Sequence, residues 1–200
     1  EADIKELLKA IDRTRSYRRP GMRECSHQRS TAARDRAIIY LLLDTGIRAS
    51  ELCGLAIQDV DLQNQRILVM GKGNKERSIP FSAQTGRVLW RYLTEERSAE
   101  RLTAPLFVTM RKAQLTRTAL LSVLRTIGER AEVPNVHPHR FRHTFAITFL
   151  RNGGGAYELQ MALGHSTLEM VRKYLALANA DLERAHRSAS PVANWRLNGA

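Results

Sequence analysis

Apolar residues recur at helical spacing along most of the chain. Within residues 4–11 they lie three and four positions apart, which places them on one face of an amphipathic helix. Thr31 is predicted to cap a second helix and Gly46 to end it. The same spacing predicts seven further helices. The second helix and these seven cover residues 31–44, 50–55, 82–97, 116–130, 138–152, 156–163, 167–175 and 179–187.

The pattern changes to one typical of strands between residues 57 and 81. Residues 66–70 read RILVM, and residues 76–79 return after the run GKGN, whose Gly and Asn tolerate the positive φ of a turn. One small hairpin among helices predicts a mainly α-helical fold with a small antiparallel β-sheet, in the α+β class.

Basic residues outnumber acidic ones by 32 to 20, which gives a net charge of +12 and a pI of about 10.5. Such a charge favours a polyanionic partner, most commonly nucleic acid, although a merely soluble basic protein can have the same balance. Between Arg13 and Arg36 there are eight arginines and two acidic residues. This basic segment either lies against phosphates or is a solvated loop.

Cysteine content and hydropathy favour a reducing, cytoplasmic setting. Cys25 and Cys53 are too few for a disulfide framework. The longest strictly apolar run, residues 37–43, is too short to span a bilayer. We therefore expect no membrane association.

Several polar residues carry candidate chemistry. His139 and Arg142 lie three apart at the start of a helix, so both can face one anionic oxygen, although ordinary surface residues show the same spacing. His139 and His143 have the spacing of a zinc-binding pair. The sequence offers no third and fourth ligand for such a site, so no metal is expected.

A second group of residues suggests a nucleophile and two anion-binding cations. His165 follows a glycine, and Tyr174 comes nine residues later, flanked by cations and not by a continuous apolar face. A tyrosine near positive charge loses its proton more readily and can attack, whereas most tyrosines only pack through the ring. Arg48 precedes a helix start, where anions are favoured, and Lys72 lies at the hairpin tip. Either cation could instead be merely solvated.

Four motifs occur in the order and spacing of the tyrosine recombinases. They read TGIRASELCGL, GKGNKER, HRFRHTFA and LGHSTLEMVRKYL. Over residues 35–187 the chain resembles the catalytic domain of that family, whose fold is mainly helical with a small antiparallel sheet. The four motifs together are highly specific, although each alone is not.

The resemblance implies a site-specific DNA recombinase or integrase of the phage-integrase type. By position, its catalytic residues would be Arg48, Lys72, His139, Arg142, His165 and Tyr174, with Lys75 a weaker rival of Lys72. Tyr174 would form a 3′-phosphotyrosine, the arginines would hold the nonbridging oxygens, and Lys72 would protonate the leaving oxygen. His139 would help to take the tyrosine proton, and His165 would hydrogen-bond the phosphate. No cofactor is implied.

The resemblance also implies partners and a domain layout. The partner would be double-stranded DNA, bound by a homotetramer in a synaptic complex formed from free monomers, with the helix at residues 179–187 docking on a neighbouring protomer. The setting would be the prokaryotic cytoplasm, in association with the nucleoid. We expect residues 1–187, including a basic entry segment 1–36, to form the catalytic domain and residues 188–200 a loose tail. The family's N-terminal core-binding domain is expected to be absent.

The sequence leaves two alternatives open. Type IB topoisomerases share the Arg, Lys, Arg, His and Tyr chemistry and relax supercoils without exchanging partners, but the LGHS motif before Tyr174 favours a recombinase. A non-catalytic basic DNA-binding module would also explain the charge, and the intact set of six residues argues against it.

Overall fold

The computed structural model describes residues 1–12, 29–71, 76–98, 100–164, 167, 169, 171–177, 186 and 190–194. Residues 171–177 are helical, and a single helical turn at Pro191–Asn194 lies within the predicted loose tail. The predicted helix at 179–187 lies largely outside the described residues. Seven helices, α1 to α7, carry the fold. They run over Ala2–Asp12, Ala32–Thr45, Ala49–Gly54, Ala83–Glu96, Arg117–Ala131, Pro138–Arg151 and Ala156–Leu163.

A small antiparallel sheet lies among these helices. Its strands β1 (Val60–Asp61), β2 (Arg66–Met70) and β3 (Glu76–Pro80) are ordered β1-β2-β3, and Ile67 pairs with Ile79. The predicted hairpin and the α+β class are therefore confirmed. Residues 72–75, which join β2 to β3, lie outside the described residues.

Helix α2 is the centre of the main hydrophobic core. Its apolar stripe of Ala37, Ile38, Leu41 and Leu42 is fully buried, and Ile39 is buried as well. Helix α2 packs against α1, α4 and α6, and α1 also packs on α5. Every helix in the described parts of the chain is too short or too polar to cross a lipid bilayer.

The start of α2 is held by buried ion pairs. Thr31 occupies the N-cap position, but the predicted side-chain cap is wrong, because its hydroxyl donates to the Asp35 carboxylate at 3.1 Å instead. Asp35 is fully buried and pairs with Arg29 at 2.8 Å and Arg34 at 2.7 Å, while Arg36 pairs with Asp12. A buried carboxylate needs such partners. The described arginines of the basic segment therefore stabilise the fold, and residues 13–28 lie outside the described part.

A second hydrophobic cluster lies beyond the main core. It contains Ala146 of α6, Leu159 and Leu163 of α7, and Val171 and Tyr174 of the helical residues 171–177. Helix α6 joins the two clusters, because its Phe141 belongs to the main core. The HRFRHTFA motif, residues 139–146, therefore contributes to both clusters, through Phe141 and Ala146.

Gly46 ends α2 as predicted, and its conformation and surroundings require glycine. Its φ is +60°, and its N–H donates to the Leu42 carbonyl. A Cβ here would collide with the ring of Phe145. Left-handed backbone costs roughly 1–2 kcal/mol for a residue with a Cβ, and overpacking costs about 1–3 kcal/mol more.

We therefore expect Gly46→Ala to lower the free energy of unfolding by about 3 kcal/mol in urea denaturation. Gly54→Ala is the matched control, because a Cβ at Gly54 meets open space, and its stability should stay within about 0.5 kcal/mol of wild type. Equal stability of the two variants would show that the turn after α2 does not need glycine.

Candidate active site

Four of the six predicted residues line one cavity of about 650 Å³. They are Arg48, His139, Arg142 and Tyr174. Lys72, its rival Lys75, and His165 lie outside the described residues. The other described residues of the cavity wall are mostly basic, and they are His137, Arg140, His143, Glu169 and Lys173.

Arg142 is anchored at the back of the cavity. It lies on α6 and is only 6% exposed, whereas His139, one turn earlier, is exposed. Its Nη1 donates to the Gly46 carbonyl at 2.7 Å and its Nη2 to the Leu163 carbonyl at 2.8 Å. Desolvation by burial, together with the charge of Arg48, lowers the pKa of Arg142 to about 10. The guanidinium therefore remains cationic at neutral pH.

Arg48 is more accessible than Arg142 and lines the same cavity. The sequence places Arg48 just before a helix start, and the structure places it at the N-cap position of α3, with its side chain 33% exposed. Its backbone N–H and its Nη1 both donate to the Glu51 carboxylate, at 2.8 and 2.9 Å, and its Nη2 donates to the Gly164 carbonyl at 3.2 Å. The Glu51 side chain, three residues along the chain, and the Gly164 carbonyl, at the end of α7, therefore fix the direction of this guanidinium.

Glu51 is a site residue that the sequence analysis misses. Its buried carboxylate accepts from Arg48 and also from Arg77 of β3. Burial alone would raise the pKa of Glu51, but hydrogen bonds from Arg77 and Arg48 outweigh it and hold the pKa below its ordinary value. The detectable signal is Glu51 at the third position of the helix that Arg48 caps, where a carboxylate reaches back to the N-cap amide.

Tyr174 is less accessible than its sequence neighbours suggest. The residue is 5% exposed and belongs to the second hydrophobic cluster. The expectation of cations around it is correct, since Lys173 Nζ lies 5.1 Å from the ring centroid, but the expectation that no apolar face adjoins it is wrong. The ring centroid of His143 lies 5.3 Å from that of Tyr174. His143 is thus a second site residue that the sequence analysis considers only as a metal ligand.

Three histidines, His137, His139 and His143, line the described cavity wall. The His137 and His139 rings lie 6.5 Å apart, and no cluster of three or more His, Cys, Asp or Glu side chains suited to a metal ion occurs among the described residues. What the cavity does offer is a phenol beside histidine bases and guanidinium groups, a combination suited to attack on an anionic ester.

The sequence model of the phage integrase family matches residues 2–181. The chain belongs to the phage integrase family. Its curated relatives within that family include the tyrosine recombinase XerC of Pelobacter propionicus, 37% identical over 161 residues that cover 80% of this chain and 53% of the relative. The XerC of Staphylococcus epidermidis is 36% identical over 169 residues, which cover 84% and 57%. The chain therefore spans about half the length of the curated relatives it matches.

Solved structures of two recombinases and one integrase share the fold. A XerA recombinase superposes with a TM-score of 0.75 at 30% identity, covering 96% of this chain and 62% of the other. XerH bound to its palindromic difH substrate, in a post-cleavage complex, gives 0.72 at 26% identity, covering 94% and 51%. The catalytic domain of bacteriophage HP1 integrase gives 0.61 at 27% identity, covering 97% and 95%. The predicted fold class and the resemblance are confirmed.

Proposed function

We propose that this chain is the catalytic part of a site-specific DNA recombinase, and that Tyr174 is its nucleophile. The observation that carries the proposal is that Tyr174 lines the same cavity as two fixed guanidinium groups, those of Arg48 and Arg142. In the reaction the tyrosine oxygen bonds to a DNA phosphorus while the bond from phosphorus to the 5′ oxygen breaks. The products are a 3′-phosphotyrosine and a free 5′-hydroxyl.

The arginines stabilise the charge that builds on the nonbridging oxygens during this step. Preorganised donors at such a position are commonly the largest single contribution to catalysis. Arg142 is held by two backbone carbonyls and Arg48 by Glu51 and the Gly164 carbonyl. Neither guanidinium has to reorganise when the phosphate arrives, so little rearrangement opposes the transition state.

Proton transfers complete the step. The phenol proton goes to a histidine of the cavity, either His139 or His143, whose ring adjoins that of Tyr174. The leaving 5′ oxygen takes a proton from Lys72, and His165 hydrogen-bonds the phosphate. The last two roles rest on sequence position in the family motifs. Because the phosphotyrosine conserves the energy of the broken bond, a second 5′-hydroxyl can rejoin the strand without a nucleotide or metal cofactor.

The proposed substrate is double-stranded DNA, held by a homotetramer that assembles on it from monomers and exchanges strands between two sites. A net charge of +12 and the likeness to XerH, solved on its difH substrate, support DNA as the partner. The near-complete overlap with the HP1 catalytic domain supports residues 1–187 as the catalytic unit. We further propose that the protein acts on DNA of the prokaryotic nucleoid, in the cytoplasm.

The test is covalent trapping on nicked DNA. A pool of duplexes with partly randomised palindromic sites carries a nick close to the scissile position, so the cleaved fragment diffuses away and religation fails. We expect an SDS-resistant protein–DNA band, a phosphorylated peptide that contains Tyr174, and one enriched site in the recovered DNA. Binding without any covalent band would instead identify an inert DNA-binding module. Relaxation of supercoiled plasmid without recombination between two recovered sites would identify a topoisomerase.

A further inference from the structure

Arg77 is a charged residue at a position of the sheet where the neighbouring side chains are apolar and buried. Side chains two apart on a strand share a face, so Arg77 lies on the same face of β3 as the buried Ile79. Its partner on β2 is Val69, which is also buried. A cation therefore occupies an inward position where the neighbours are apolar, and its side chain is only 15% exposed. Burial of this kind is costly unless the charge is fully engaged.

The guanidinium of Arg77 is engaged on two sides. Nη1 and Nη2 donate to the two carboxylate oxygens of Glu51 at 2.9 and 2.8 Å, which is the bidentate geometry that only arginine provides. Nε donates to the Ala162 carbonyl near the end of α7 at 3.1 Å. A Cβ on Gly164 would lie 2.8 Å from Nη1. Arg77 thus packs directly against the turn that ends α7.

Three arginines donate hydrogen bonds to successive carbonyls at the end of α7. The acceptors are the carbonyls of Ala162, Leu163 and Gly164, and each accepts from a different guanidinium group. The donors are Arg77 Nε, Arg142 Nη2 and Arg48 Nη2 respectively. The last carbonyls of a helix lack intrahelical partners and carry partial negative charge, so they favour cations. This helix end therefore orients all three arginines together.

Only two of these arginines reach the cavity. Of the described residues, those that line it include Arg48 and Arg142 but not Arg77. Arg77 is bonded to Glu51, and Glu51 in turn is bonded to Arg48. Arg77 is also bonded to the end of α7, which accepts from both Arg48 and Arg142. Without Arg77 the buried Glu51 carboxylate would keep Arg48 as its remaining cationic partner, and we expect it to draw that guanidinium away from the cavity.

We propose that Arg77 is a positioning residue for DNA cleavage, which shares the charge of Glu51 so that Arg48 stays directed at the scissile phosphate. This inference rests on the proposed function. Misplacement of a catalytic group by about 1 Å can cost on the order of 10²-fold in rate. Arg77→Met keeps much of the side-chain length and removes both the charge and the donors. We expect it to slow cleavage of the trapped site about 10²-fold at saturating protein, whereas Arg77→Lys recovers part of that loss.

A second substrate separates positioning from a general loss of structure. In a methylphosphonate at the scissile position, one nonbridging oxygen is replaced by a methyl group, so the diester is neutral and needs less cationic stabilisation. We expect Arg77→Met to slow this substrate less than about 5-fold relative to wild type. The matched control is Arg66→Met, because Arg66 lies on the exposed face of β2, and it should cleave both substrates at the wild-type rate.

The outcomes are distinct. Equal slowing of Arg77→Met on both substrates, or no slowing on either, contradicts the positioning role. Should Arg77→Met fail to show the wild-type circular dichroism and melting temperature, the same comparison is made with Arg77→Lys, whose partial loss should again be smaller on the methylphosphonate. Absence of an adduct with wild-type protein contradicts the proposed function itself, and the inference falls with it. If wild type forms the adduct but the Arg77 variants are slowed equally on both substrates, only the positioning role of Arg77 is contradicted and the proposed function stands.

Discussion

Replacing Tyr174 by Phe is expected to abolish the covalent adduct, with a loss on the order of 10⁴-fold or more, as removal of an enzyme's nucleophile commonly gives. The same change should leave the fold nearly intact. Tyr174 is 5% exposed, and its ring packs with Ala146, Leu159, Leu163 and Val171. Phe preserves that ring and removes only the hydroxyl. The two effects should therefore separate cleanly, which few active-site substitutions allow.

The measurement is a time course of SDS-resistant adduct on the nicked site, beside DNA affinity and thermal unfolding of each variant. Tyr157→Phe is the matched control, because Tyr157 is 63% exposed on α7 and makes no part of the cavity wall. It should form adduct at the wild-type rate. Adduct formed by Tyr174→Phe, with the linkage mapped to a different side chain, would reassign the nucleophile.

Local rules account well for the elements of this fold. The hairpin, the N-caps of α4 and α5, and the glycine that ends α2 each depend on residues a few positions apart. The exception at Thr31 is instructive. Its hydroxyl is recruited by Asp35, a fully buried carboxylate that also needs Arg29 and Arg34. A burial demand therefore overrides a local capping preference, and burial is not visible in the sequence around Thr31.

In the site, too, the sequence predicts which residues take part but not the contacts that hold them. The motifs predict which residues meet, and the described four do share a cavity. How they are held depends on contacts between distant segments, such as Arg142 to Gly46 across 96 positions and Arg77 to Ala162 across 85. Helical and strand periodicity do not predict which residues far apart in the sequence form such pairs. The pairing of Arg77 with Glu51 and the burial of Tyr174 therefore emerge only from the structure, whereas the bond from Glu51 to the Arg48 amide also has a local signal in the sequence.

Arg142→Lys is the second substitution with a large expected effect, a loss of about 10²–10³-fold in the cleavage rate. Arginine bonds two carbonyls from one planar group, at Gly46 and Leu163, while presenting its charge to the cavity. An ammonium is a point charge without that fork. One buried carbonyl is left poorly satisfied, at a cost of about 1–3 kcal/mol, so the variant should also melt at a lower temperature.

The residual activity of Arg142→Lys should depend on pH in a way that wild type does not. Desolvation lowers the pKa of Arg142 to about 10, which leaves it charged throughout the neutral range. The same desolvation acts on a lysine whose ordinary pKa is about 10.4, and therefore brings its pKa toward neutrality. A cation is present below its pKa and lost above it, so the variant's cleavage rate should fall as pH rises from 7 to 9. Arg125→Lys, at an exposed site on α5, is the control and should follow wild type. A flat profile for Arg142→Lys at the wild-type rate would show that the buried guanidinium is dispensable. The charge on the phosphate would then have to be met by other cations that the structure describes in the cavity wall, such as Arg48, Arg140 and Lys173.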